Sequence, residues 1–143
     1  MSHDAQDEAL LAAARAARQR AFAPYSGFFV GAAVRAADGR VFTGCNVEVA
    51  SYSLTCCAER VAVFKAVSEG ATELVACAVV ADMSPPASPC GACRQVLYDF
   101  GAEMSLLLEN VQGELRRLPL KVLLPDAFEP AQVLQAVKAH HGA

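Results

Sequence analysis

The chain has 143 residues, 55% of them hydrophobic and 19% charged, with a formal charge of −3. That length suits a single domain, 1–143, with a substantial core, and the composition excludes a disordered chain. The balance of 12 Lys and Arg against 15 Asp and Glu argues against a nucleic-acid polymer as partner, because phosphate backbones draw basic surfaces.

In chain order, residues 5–20 are Ala-rich with Leu10, Leu11 and Ala14 on one face, which predicts a helix. Arg15, Arg18 and Arg20 near its end suit the negative pole of the helix dipole. Two short apolar runs flank Asp38-Gly39, a two-residue hairpin signal, and predict strands near 28–36 and 40–46. Residues 57–69 repeat apolar positions at helical spacing and stop before Gly70. Leu74 to Ala81 is a continuous apolar run bounded by acids, read as a buried strand. At eight residues it is far short of the roughly 20 that a membrane span needs. The prolines of MSPPASP mark a loop, and Ser88-Pro89 reads as a cap opening a helix over about 90–100. Strands at 104–109 and 114–119 follow, then a final helix at 130–139. The order predicts an α/β fold, a mixed sheet with helices on both faces. The opening MSHDAQDEAL lacks the basic start and apolar run of a secretory signal. A cytoplasmic location with reduced cysteines is therefore expected.

Six cysteines occur, at 45, 56, 57, 77, 90 and 93. Cys45 and Cys77 fall in predicted strands and read as small buried apolar residues. Cys90 and Cys93 form a C-x-x-C at a predicted helix start, where free N–H groups and the dipole favour thiolates. Alone, that pair fits either a redox dithiol or half a metal site. Cys57, at the start of another predicted helix, would complete three thiolates around one ion. Three protein ligands with an open fourth position mark a catalytic zinc; a fourth ligand, such as Cys56, would make the site structural. Glu59, two residues after Cys57, is placed to move protons beside such an ion. Residues two apart on a regular helix point about 200° apart. Cys57 must therefore sit at the cap if both are to face the metal.

These segments resemble the zinc-dependent cytidine deaminase family, in its small single-domain form acting on free nucleosides. The residues that carry the likeness are CAER at 57–60, SPCGACRQ at 88–95, APYSGFFVGAA at 23–33 and GCNVEVASYS at 44–53, with KAVSEG at 65–70 and LLPDAF at 123–128. The resemblance implies a three-layer α/β/α sandwich with about five strands. It implies one Zn²⁺ per subunit on Cys57, Cys90 and Cys93, with Glu59 as the catalytic proton carrier. It also implies that Asn46 and Glu48 hold sugar hydroxyls, Phe28 packs on the pyrimidine, and Ala58 contacts substrate. Phe128 would enter a neighbouring subunit's site in a homotetramer. Arg60, and as a second candidate Arg94, would offset the charge of the three thiolates. The implied reaction is hydrolytic deamination of cytidine and 2′-deoxycytidine to uridine and 2′-deoxyuridine, releasing ammonia in pyrimidine salvage.

Cys56 departs from the pattern, since family members need not have a cysteine there. Cys57 keeps the ligand-Ala-Glu spacing and is the expected ligand. His140 and His141 lie outside the likeness and read as exposed imidazoles. Two rival readings have distinct signatures. A deaminase of another aminopyrimidine would take an aminoacyl-nucleoside antibiotic or a free base, the latter having no use for Asn46 and Glu48, and a zinc-stabilised binding module would close the metal with four ligands.

Overall fold

The computed structural model describes residues 3–141. The first helix, α1 (His3–Arg18), is followed by the antiparallel strands β1 (Val30–Ala36) and β2 (Val41–Cys45). Helix α2 (Ala58–Ser68), strand β3 (Leu74–Ala81) and helix α3 (Gly91–Gly101) come next. The chain then forms β4 (Ser105–Asn110), β5 (Leu115–Pro119) and α4 (Pro130–His141). Every predicted element is present, and two 3-10 turns, Tyr52–Leu54 and Leu120–Leu123, were not expected. The sheet runs β2-β1-β3-β4-β5. Only β3 and β4 are parallel, which is why the connection between them must cross over through α3.

Both faces of the central strands are covered, and alternation along each strand assigns its residues to a layer. Val79, Leu106 and Leu108 belong to the core under α2 and α3. Ala78, Val80 and Leu107 face α1 through its Leu10, Leu11 and Ala14. The architecture is thus the expected α/β/α sandwich. Two glycines permit the helices to lie close. A Cβ on Gly31 would stand 2.1 Å from the Ala14 carbonyl of α1, and one on Gly44 would stand 2.4 Å from the Ala58 carbonyl of α2. Gly44 therefore lets the first turn of α2 rest directly on β2.

Two local expectations are corrected. The hairpin loop has three residues, 37–39, since Ala36 N–H donates to Arg40 O and Gly39 N–H returns to Ala36 O. Gly39 takes φ 95°, the left-handed position such a loop requires. The cap of α3 is Cys90, with φ −65° and ψ 166°, rather than Ser88. The Pro89 carbonyl is occupied by the Arg94 side chain at 2.7 Å, so the chain stays outside the helix until Cys90 accepts Arg94 N–H at 2.9 Å.

Helix α4 lies apart from the sandwich. None of its residues is buried, and Leu134 is 61% exposed. No helix among the described residues is long and apolar enough to cross a membrane.

Candidate active site

Helices α2 and α3 begin on the same side of the sheet, and each is capped by a cysteine. Cys57 has φ −70° and ψ 153°, extended rather than helical, as its partnership with Glu59 requires. Cys90 holds the equivalent place on α3, and Cys93 lies in the first turn of that helix, fully buried. The sulfurs of Cys57, Cys90 and Cys93 all lie within 4.8 Å of one another. Cys57 Sγ and Cys90 Sγ are 3.8 Å apart. Sulfurs at ~2.3 Å from a tetrahedral zinc are separated by about 3.8 Å, so the donor set and its spacing fit that ion.

Cys56 does not join the cluster. Its backbone pairs with Val47 in an antiparallel bridge, at 3.0 Å in both directions. Successive residues of an extended chain point their side chains to opposite sides, which separates the Cys56 sulfur from that of Cys57. The possible fourth cysteine ligand is thereby removed. His140 and His141 lie exposed in α4 and belong to no metal-ligating cluster among the described residues.

The electrostatics favour thiolate at one sulfur in particular. Hydrogen bonding from Cys93, with help from Arg60 and Cys90, pulls the Cys57 thiol down to about 5. Sharing with Cys57 and burial push the Cys93 thiol well above its ordinary range. Arg60 Nη2 donates to Cys57 Sγ at 3.4 Å. Its contacts with the Cys57 and Cys93 sulfurs strengthen the guanidinium's hold on its proton. Arg94 does otherwise. Its guanidinium binds the carbonyls of Pro89 and Leu123, at 2.7 and 2.9 Å. Arg94 thereby ties the loop before α3 to the segment after β5, with its hydrogen bonds on carbonyls rather than sulfurs.

Glu59 is 5% exposed, with Oε2 3.9 Å from Cys93 Sγ. Burial raises its carboxyl to about 7, and the Cys57 thiolate pushes in the same direction. A carboxyl poised near neutrality can both give and take a proton at working pH.

A cavity of about 280 Å³ opens from this cluster. Cys57, Ala58, Glu59 and Cys90 line it, and Phe28, Asn46 and Glu48 line the same space. Phe28 lines it, and its neighbour Phe29 does not. Phe128 takes no part in this cavity and is 69% exposed elsewhere on the surface.

Asn46 and Glu48 are nearly buried, at 8% and 2% exposure. Asn46 Oδ1 accepts Val30 N–H at 2.9 Å, and its Nδ2 donates to Phe28 O at 2.7 Å. Glu48 Oε1 accepts the N–H groups of Tyr25 and Ser26, each at 3.0 Å, while Oε2 accepts the Ser26 hydroxyl. These bonds, the Ser26 hydroxyl foremost, hold the Glu48 carboxyl below its usual range. Ser26 also lines the cavity and was not anticipated as a functional residue. Its signal in the sequence was its place in the turn just before Phe28, next to Gly27 at φ 68°.

Comparison with known proteins agrees with this geometry. The family described as "Cytidine and deoxycytidylate deaminase zinc-binding region" matches residues 4–108. The protein named cytidine deaminase from Sporosarcina psychrophila is 47% identical over 132 residues, 92% of this chain and 97% of its own. Its namesake from Halalkalibacterium halodurans is 52% identical over 113 residues, covering 78% of this chain and 86% of the relative. Among solved structures, the cytidine deaminase from Burkholderia pseudomallei superposes with a TM-score of 0.83 at 50% identity, covering 90% of this chain and 100% of that one. The cytidine deaminase from Mycobacterium tuberculosis gives 0.74 at 45% identity, over 85% and 96% of the two chains.

Proposed function

The chain belongs to the cytidine deaminase family, and from that premise we propose how its own residues divide the work of the reaction. The enzyme is a zinc-dependent cytidine deaminase, and the proposal concerns which side chains act and in what order. Cys57, Cys90 and Cys93 would hold the ion, with Arg60 bonded to the first of these sulfurs. When bound, Zn²⁺ supplies the Lewis acidity that brings the pKa of water toward neutrality. The one observation that carries the reading is the buried Glu59 beside three clustered sulfurs, lining a cavity that Asn46 and Glu48 also line.

Glu59 takes the proton of the attacking water and delivers it to ring nitrogen 3, which makes carbon 4 electrophilic. The same carboxyl then carries a second proton to the departing amino group, and ammonia leaves. Its burial and its raised pKa support both roles, because neither protonation state is strongly preferred near pH 7. Phe28 packs on the pyrimidine, Ala58 contacts substrate, and Asn46 and Glu48 hold sugar hydroxyls. The reading extends to 2′-deoxycytidine as substrate and disfavours a free base, which has no sugar for those two residues.

The proposal also includes one domain over 1–143, a cytoplasmic location, a place in pyrimidine salvage and a homotetramer with shared sites. Six unpaired cysteines support the reducing compartment. The exposed Phe128, Leu134 and Val137, at 69%, 61% and 49%, support burial against further copies of the chain. Zinc analysis paired with a cytidine absorbance assay, on the wild type and Glu59→Gln, tests the chemical reading. Equal amounts of zinc with activity only in the wild type is the expected result, and a fully active Glu59→Gln enzyme overturns it. Light scattering tests the assembly: a mass of about four 15.0 kDa chains is expected, and a stable monomer overturns it.

A further inference from the structure

Glu48 is heavily engaged within its own chain. An ionised carboxylate offers about four acceptor sites, and three are taken by Tyr25 N–H, Ser26 N–H and the Ser26 hydroxyl. One remains, on Oε2, the oxygen that Ser26 Oγ already holds. The same Oγ accepts Phe28 N–H at 3.0 Å. A single hydroxyl thus links the Glu48 carboxylate to the backbone of Phe28, and both residues line the cavity. Its only proton is spent on Glu48, so its orientation is set.

We propose that Ser26 is a positioning residue for sugar recognition: by donating to Glu48 Oε2 and accepting from Phe28 N–H, it leaves the carboxylate one acceptor site for a single sugar hydroxyl, taken as the 3′-hydroxyl because both proposed substrates carry it while 2′-deoxycytidine lacks the 2′. The inference rests on the reading of Glu48 as a sugar-holding residue. Loss of the Ser26 bond frees Oε2 to rotate away from the ligand while the two backbone bonds still hold Oε1.

The test measures kcat and KM for Ser26→Ala, Ser26→Thr and Glu48→Gln, each with cytidine and with 3′-deoxycytidine. Ser26→Ala is expected to raise KM for cytidine about tenfold more than for 3′-deoxycytidine, with most of the loss in KM rather than kcat. Ser26→Thr, which keeps the hydroxyl, should restore most of the difference. Equal rises with both substrates, or none, overturn the proposal, because the hydroxyl would then serve only the turn that carries Phe28. Glu48→Gln reports on the underlying reading. It should reduce the preference for cytidine over 3′-deoxycytidine at least as much as Ser26→Ala does; an undiminished preference removes the sugar role of Glu48 and the Ser26 proposal with it. If Ser26→Ala does not fold, Ser26→Cys, similar in size with a weak donor, carries the same comparison.

Discussion

The two faces of the sheet each bury a glutamate, and they treat it in opposite ways. On the α1 face Glu109 is 6% exposed and receives two bonds from Arg15, at 2.6 and 2.8 Å. Asp7 on the same face, 2% exposed, is paired with Arg117. On the other face Glu59, 5% exposed, has the Cys93 sulfur at 3.9 Å, and the Arg60 charge opposes the rise in its pKa only in part. A buried acid with a matched cation is a structural brace, while one left among thiols is held near neutrality and ready to exchange protons. Similar burial therefore suits a brace on one face and the proposed proton carrier on the other.

The largest expected effect lies in the cluster itself. Cys57→Ala should lose its zinc and all measurable deamination, whereas Cys56→Ala should retain both, as read by metal analysis and ammonia release. The opposite pattern would mean that the wrong sulfur has been assigned. Glu59→Gln comes next, with a rate at least about a hundredfold lower at unchanged zinc content. Glu109→Gln should do the reverse. Activity is expected to persist while stability falls by about 1–2 kcal/mol in a denaturant titration. The figure is modest because Arg15 is 41% exposed and its charge is screened. A Glu109→Gln enzyme that lost activity at full stability would erase the distinction between the faces.

The smallest effect is pH-dependent. The carboxyl of Glu48 is lowered in the fold, so its contribution to stability is present above its unfolded value of 4.5 and lost as pH falls through the folded value. The difference in Tm between wild type and Glu48→Gln should therefore be greater at pH 7 than at pH 3. A difference that grew at pH 3 would contradict this assignment.

Much of this could be read in advance. The strand at Leu74–Ala81 has its bounds in its own continuous apolar run, and α2 ends where Gly70 follows its last periodic residue. The three ligand cysteines and Glu59 were visible by spacing, and Phe28, Asn46 and Glu48 through family likeness. The carbonyl partners of Arg94 are not legible from its place beside Cys93, because one of them lies 29 residues away. Ser26 was overlooked because a serine in a turn has an adequate local explanation, and only the partner across 22 residues gives it another.

By itself the sequence determined the elements and the donor chemistry, since periodicity, glycine stops and thiol spacing act over a few residues. Tertiary structure alone decided the rest. It brought together cysteine sulfurs 33 residues apart in the chain, turned Cys56 away and engaged Glu48 with the turn before Phe28. The physical reason is range: backbone preference acts between near neighbours, whereas charge, burial and coordination act between atoms that only packing makes adjacent.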